Sequence, residues 1–455
     1  MKKQALSLLL VLVLMLSAAA GVWADPYDFD LQFTDVSDND TFYEAVVWAV
    51  QEGVTSGTSD TTFSPGRDCT RGQVVTFLWR AKGCPEPKSE FNPFTDVAPG
   101  SYCEQAVLWA VENAVTSGTS EDRFSPDEPC TWGHIITFLW RANGKPEPLA
   151  AGITEDWADS WYRPAVAWAD SSGILGVDRD GFNPAWTCNR GTTVTWLYRD
   201  AVKTVSTVSG LLDAVATGRI IYLEAGTYNL TEWAKVTVME ERFPAGNYVT
   251  IDTVPDGYEV RVQNAGMLRL RAAPGAEGKV ELIAEPRYAE VLTFKNCGVV
   301  EMTGMVMGHT DTGFCQGGVL KFDGCESVYL DGMDLYGCGT YGIESRGVER
   351  LTVKNSVIRE CSYGIMEFYN TTYAQFEDCS FHDCREYTML TVNHSAVSFD
   401  HCVFKDNYWG QYGSFLALTE DEQTIVMFSD CELSEFVQKE LKEKLEAGAH
   451  IVGVE

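Results

Sequence analysis

Val328-Tyr329-Leu330-Asp331, Leu351-Thr352-Val353-Lys354, Ala374-Gln375-Phe376-Glu377 and Val397-Ser398-Phe399-Asp400 open four alternating apolar runs at a constant step of 23 residues. Cysteines keep the same step, with Cys338, Cys361 and Cys384 in one series and Cys379 and Cys402 in another. Three short strand-like runs per period, without helical phase, predict an all-β parallel β-helix over residues 205–455. Each coil then stacks on the last at the ~4.8 Å strand spacing. Residues 23 apart become spatial neighbours, so surface clusters can be read from sequence offsets.

Read this way, Leu320, Ile343, Met366 and Met389 form an inward column, and Lys321, Glu344, Glu367 and Leu390 the outward column beside it. Asp323, Arg346, Tyr369 and Val392 follow two residues on. One face therefore gathers Lys321, Asp323, Glu344, Arg346, Glu367 and Tyr369. Glu344 and Glu367, one strand spacing apart, approach the ~5–5.5 Å carboxyl separation of a retaining glycosidase. The same side chains also make an ion-pair ladder, Lys321 facing Glu344 and Asp323 facing Arg346, as a stable sheet favours. The ladder is the preferred reading and catalysis the competing one. The Gly308 to Gly318 segment interrupts the 23-residue rhythm and brings His309 and Asp311 towards the patch as further catalytic candidates. A second column, Glu360, Asp383 and Asp406, stacks carboxylates at a turn. Stacked like charges require a cation or neighbouring bases to offset them. The column is therefore a calcium candidate, with Arg359, His382 and Lys405 as the competing neutralisers; no other cofactor is implied.

The net charge of -31 divides into -14 over residues 25–204 and -19 over residues 205–455, with +2 from the first 24 residues. Both parts repel a phosphate backbone, which excludes generic nucleic-acid binding. Any anionic partner must be gripped by local arginines. Met1-Lys2-Lys3, the apolar run Ala5 to Ala20 and Val22-Trp23-Ala24 have the layout of a signal peptide over residues 1–24. No later stretch approaches the ~20 apolar residues of a membrane span. Fourteen cysteines in an exported chain would ordinarily point to disulfides. The cysteine columns read instead as buried thiols behaving as small apolar groups. With no Cys-x-x-Cys or His-x-x-x-His pair, a structural zinc site is not expected. Cys84 and Cys103 lie off the pattern and are the candidate disulfide.

A longer repeat precedes the β-helix, with units at residues 25–90, 91–150 and 151–204. Phe33-Thr34-Asp35-Val36 recurs as Phe94-Thr95-Asp96-Val97, and a degenerate third copy starts near Ile153-Thr154. Trp48-Ala49 recurs at Trp109-Ala110 and Trp168-Ala169. Gly53-Val54-Thr55-Ser56-Gly57 recurs at Ala114-Val115-Thr116-Ser117-Gly118. Phe63-Ser64-Pro65, Phe124-Ser125-Pro126 and Phe182-Asn183-Pro184 follow, and Phe77-Leu78-Trp79-Arg80 has counterparts at Phe138 and Trp196. Each unit reads as helix, Gly-rich loop, Phe-x-Pro turn, helix. None can bury its own aromatic stripe, so three should pack about a pseudo-threefold axis. Trp48, Trp109 and Trp168 lie on the apolar helix face and read as core rather than sugar platforms.

These units resemble S-layer homology (SLH) repeats, usually three in tandem. The resemblance implies a mainly α-helical trefoil bound non-covalently to an anionic secondary cell-wall polysaccharide in grooves between repeats. The family's Thr-Arg-Ala-Glu motif matches Thr70-Arg71-Gly72-Gln73, Thr131-Trp132-Gly133-His134 and Asn189-Arg190-Gly191-Thr192. It marks Thr70, Arg71, Trp132 and Arg190 as polysaccharide-binding candidates. A guanidinium beside the backbone N–H groups of a helix N-terminus suits a sugar acid, and an indole in its place could stack on a sugar face. The stretch from Ser209 to Tyr228, an amphipathic helix then Ile220-Ile221-Tyr222-Leu223 and Ala225-Gly226-Thr227-Tyr228, resembles the cap and first coil of pectin-lyase-like right-handed β-helices. A helix over Glu435 to Ala447 would cover the far end. Asp400-His401 is similar to the Asp-His dipeptide of pectate lyases, but no complete catalytic motif of that fold is present. The expected molecule is a secreted, cell-wall-anchored S-layer surface protein whose β-helix is a glycan-binding or structural module. The alternative is a wall-anchored polysaccharide lyase or glycoside hydrolase.

Overall fold

The computed structural model describes residues 31–89, 91–148, 160–310, 316–337, 339–419 and 421–454. The leader at residues 1–24, Ile153-Thr154, Asp311 and Cys338 lie outside the described residues. Residues up to 201 form helix pairs: α1 (Tyr43–Gln51) with α2 (Arg71–Ala81), α3 (Glu104–Glu112) with α4 (Trp132–Ala142), and α5 (Arg163–Ser171) with α6 (Arg190–Ala201). Thr70, Thr131 and Asn189 cap the second helix of each pair by accepting from the N–H of Gln73, His134 and Thr192, which satisfies donors orphaned at a helix start. The Phe-Thr-Asp-Val motif also has a local reason. Asp35 accepts from the N–H groups of Phe63 and Ser64 at 2.8 and 2.7 Å, and Asp96 from Phe124 and Ser125 at 2.9 Å each. The aspartate thereby fixes the Phe-Ser-Pro turn, where Ser64 and Ser125 adopt positive φ.

The three pairs close into a ring. The N–H of Cys69 donates to the carbonyl of Cys188 at 2.9 Å, that of Cys188 to Cys130 at 2.8 Å, and that of Cys130 to Cys69 at 2.9 Å. This cyclic triangle marks the pseudo-threefold axis, and all three cysteines are fully buried. Trp48, Trp109 and Trp168 are buried in the shared core, as their helical spacing predicts.

From Val202 the chain winds into three sheets. The first runs through strands 299–303, 327–331, 350–354, 373–377, 396–400 and 425–429, all parallel. Val328, Leu351, Ala374 and Val397 are direct register partners. The expected column on the third sheet holds for Leu320, Ile343 and Met366 and then slips, because Met366 pairs with Leu390 and not with Met389. The corner between Cys384 and Leu390 carries one residue more than that between Cys361 and Met366, and the next corner returns it. Glu367 and Tyr369 are consequently followed by Thr391 and Asn393, not by Leu390 and Val392.

Cys361, Cys379, Cys384 and Cys402 are buried free thiols in the stack. Cys84 and Cys103 are likewise free, one exposed and one buried, so the candidate disulfide between them is not formed. Three further elements depart from expectation. The residues directly after α6 form a strand, Val202–Val205, pairing with Arg219–Leu223 as the first rung. Helix α8 (Leu230–Glu240) follows α7 (Val208–Ala214), and Val249–Val254 forms an antiparallel hairpin with Gly257–Gln263. Helix α9 (Glu435–Glu446) buries Val437 and Leu441 on the core, as a terminal cap should.

The helical ring and the β-helix are fused without a linker. Asp200, 2 % exposed, accepts from Lys82 Nζ at 3.1 Å and pairs with Arg219 at 2.9 Å. Burial opposes its charge, but Arg219 and Lys82 hold the carboxylate ionised well below the usual range. Arg269 of the β-helix pairs with Glu52 of the ring and with Glu301 at 3.0 Å.

Candidate functional site

A groove of about 260 Å³ opens where the third helix pair meets the first. Thr55, Ser56 and Gly57 form one wall, and Gln73, Thr76, Phe77 and Arg80, a single face of α2, form another. Tyr102 and Arg190 complete it, and none of the lining residues is acidic. In a chain of net charge -31, a groove with two guanidiniums and no carboxylate is a local reversal of sign. Gly57 has positive φ, and a Cβ there would lie 2.7 Å from the Phe33 ring; the repeated Gly-rich loop is therefore a steric requirement.

Arg190 is 4 % exposed. Its Nε donates to the carbonyl of Phe63 at 2.9 Å and its Nη2 to Thr55 Oγ1 at 3.0 Å, with the guanidinium 4.7 Å from the Phe63 ring centroid. Burial lowers its pKa from the ordinary arginine value, yet a guanidinium remains charged at physiological pH. Arg71 repeats the arrangement one seam on, donating to the carbonyl of Phe124 at 3.1 Å over the Phe124 ring. The expected free backbone donors at these helix starts are already used: Arg71 and Gly72 donate to the carbonyls of Glu128 and Pro126, and Arg190 and Gly191 to those of Arg67 and Pro65. Ring closure consumes them. The side chains, and not the helix termini, are what remains for an anion.

Trp132 occupies the third seam. Its indole packs on Phe182, Trp186 and Trp196 at centroid distances of 5.5, 5.4 and 5.1 Å. That seam is filled by aromatic rings instead of being lined by a cation. Thr70 caps α2 and, through Gln73, borders the open groove. The sequence singled out Arg190 but missed Arg80 and Tyr102, which come to the groove from different repeats.

On the third sheet Lys321, Glu344 and Glu367 align as read. Lys321 Nζ lies 3.1 Å from Glu344, while Arg346 pairs with Glu344 and, at 3.2 Å, with Glu367. The Tyr369 hydroxyl donates to Glu367 at 3.2 Å, and its ring lies under the Arg346 guanidinium. Asp323 pairs with Lys295 at 3.4 Å rather than with Arg346. Burial and the charge of Glu344 raise the Glu367 carboxyl.

The sequence offsets missed Glu290, because it precedes the interrupting loop. Buried to 9 % exposure, it accepts from the N–H of Gly318 at 2.6 Å and lies 3.7 Å from Lys321. Burial pushes its carboxyl up to about 7, with Lys321 opposing and Glu344 reinforcing the rise. Gly317 and Gly318 permit this contact, since a Cβ at Gly317 would lie 1.9 Å from the Ala289 carbonyl. His309 does not reach the charged face: it is 3 % exposed and its Nε2 lies 2.9 Å from the carbonyl of Ala289. A buried wall position gives it no access to an external substrate.

Glu360, Asp383 and Asp406 occupy successive positive-φ corners. Glu360 is held by Arg359 at 2.9 Å and Asp383 by His382 at 2.7 Å. Among the described residues, three side chains of types able to ligate a metal converge at Asp400, His401 and Asp430, with their potential ligand atoms within 4.8 Å of one another.

Comparison with known proteins agrees with both halves. The S-layer homology domain family matches residues 32–75 and 93–131, and the right-handed β-helix region family matches residues 289–450. A cell surface protein of Thermoanaerobacter kivui is 28 % identical over 116 residues, 25 % of this chain and 15 % of that protein. An endoglucanase of Bacillus sp. (strain KSM-635) is 32 % identical over 144 residues, 31 % of this chain and 15 % of the enzyme. The surface-layer 125 kDa protein of Lysinibacillus sphaericus is 26 % identical over 147 residues, 31 % of this chain and 12 % of that protein. The chain spans no more than 15 % of the length of these relatives. It carries two S-layer homology repeats and a right-handed β-helix region, and it is a cell-surface protein. No helix among the described residues is long and apolar enough to cross a membrane.

Proposed function

We propose that the helical ring, with α5 and α6 as a third S-layer homology repeat, anchors the chain non-covalently to an anionic cell-wall polysaccharide, and that the β-helix is displayed as a structural or glycan-contacting module. The observation that carries this is the acid-free groove bearing Arg80 and Arg190 on an otherwise acidic chain. A guanidinium held by a carbonyl and a hydroxyl retains N–H donors for a sugar carboxylate, and the arrangement costs little reorganisation on binding. The test is co-sedimentation of the chain with purified walls and with walls stripped of their acidic polymer. Retention that survives stripping would remove the reading.

A second reading assigns glycan cleavage to the third sheet. It is favoured by Glu290, a carboxyl raised to about 7 beside Glu344, an acid and base pair in the sense that two environments separate two protonation states. Lys321 and Arg346 favour the ladder, because they hold Glu344 between cations. A reducing-sugar and unsaturated-product screen decides it: turnover that vanishes in Glu344→Gln, at unchanged melting temperature, would establish catalysis.

A further inference from the structure

A second cleft, about 180 Å³, lies where the ring meets the β-helix. Arg80 lines both this cleft and the acid-free groove. Two chain segments also run along both. The face of α2 passes from Gln73 to Arg80, about 10 Å at 1.5 Å per residue, and continues to Gly83 and Cys84 in the second cleft. Trp48 in the last turn of α1 and Glu52 at its C-terminal cap line the second cleft, and Thr55 to Gly57 shortly after line the groove. The far wall belongs to the β-helix, through Met267 and Arg269.

We propose that the two clefts form one track, and that the wall polysaccharide in the groove continues past Arg80, its next saccharide unit resting between Trp48 and Met267. This rests on the anchoring reading above and extends it to residues outside the ring. The second cleft has the chemistry for such a unit. Trp48, a core residue 6 % exposed, shows only an edge of its indole to the cleft, with its N–H buried and lacking an acceptor among the described residues, and Arg80 contributes a guanidinium. Arg269, fixed by Glu52 and Glu301, makes the opposite side rigid. Glycines keep the halves in contact there: a Cβ at Gly83 would lie 3.3 Å from Met267, and one at Gly218 would lie 2.6 Å from the carbonyl of Ala81. The consequence is that bound polymer grips the β-helix as well as the ring, so the displayed module is oriented by the wall.

Cys84, an exposed free thiol on this cleft, is a built-in probe. The intact chain is treated with iodoacetamide, alone or with size-fractionated acidic polysaccharide released from purified walls, and Cys84 alkylation is followed by peptide mass spectrometry. Buried Cys361 and Cys402 serve as internal controls. Long fragments should slow Cys84 alkylation about fivefold or more, whereas the shortest fragments that still bind should leave it unchanged. Met267→Trp, which fills the cleft, should weaken long fragments about tenfold and spare the short ones. Both results are required; long fragments that bind without protecting Cys84, or that bind Met267→Trp normally, overturn the track alone. Failure of every fragment to bind overturns the anchoring reading and the track with it.

Discussion

Arg190 reaches back 127 residues to donate its Nε–H to the carbonyl of Phe63 at 2.9 Å. That bond closes the ring of helix pairs, and the same guanidinium faces the groove. A residue that both seals a seam and lines the groove proposed to hold polysaccharide should show two effects when changed.

Arg190→Ala should lower stability by about 1–3 kcal/mol, because the Phe63 carbonyl and Thr55 hydroxyl lose a charged donor, and it should abolish retention on purified walls. Arg190→Lys keeps the charge but not the fork, so it should recover stability better than retention. Urea unfolding measured beside wall co-sedimentation separates the two. Equal retention of all three proteins would exclude Arg190 from binding.

Glu290 has a folded-state pKa raised to about 7 from 4.5. The folded state therefore favours its protonated form, and its contribution is fully present below about pH 4.5 and lost as pH rises towards 7. Glu290→Gln mimics that form. Its stability relative to the parent should be nearly equal at pH 4.5 and should rise to a plateau above pH 7. His134, lowered by burial and by Arg71 to about 4, runs in the opposite sense, losing stability as pH falls from about 6.5. It is common to both proteins and cancels in the difference. A difference in melting temperature that is flat from pH 4.5 to 7.5 would contradict the shift.

Lys82→Met should cost roughly 3–5 kcal/mol, because it leaves the Asp200 carboxylate buried with Arg219 as its remaining ion-pair partner. Pairing Lys82→Met with Asp200→Asn should return part of the loss. Since these groups join ring and β-helix, calorimetry should show one transition for the parent chain and a broadened or divided one for Lys82→Met. One sharp transition in both variants would mean that the contact does not couple the halves.

Cys402→Ser should destabilise the β-helix by about 1–3 kcal/mol, by placing a stronger polar group in an apolar stack. Cys402→Ala should cost less. Mass mapping of the native chain should find Cys361, Cys379, Cys384 and Cys402 as free thiols; disulfides among them would contradict the stacked-thiol arrangement.

The sequence by itself determined the coil step, the inward column from Leu320 to Met366, the buried tryptophans and the ordered motifs of the helix pairs. These depend on short-range periodicity and on which side chains avoid water, and both are written locally. It also marked Arg190 and the pairing of Glu344 with Glu367, since a fixed period converts offset into proximity. Tertiary structure alone decided the rest. A single extra residue before Leu390 moved the register under Glu367, and no periodic count foresees where a corner absorbs it. Glu290 joined Glu344 across a loop of irregular length. Arg80, Tyr102 and Arg190, from three different repeats, meet only when the ring closes, and closure also consumes the helix-start donors. Proximity that depends on how whole units dock is set by packing over the entire surface, so it appears only when the chain has folded.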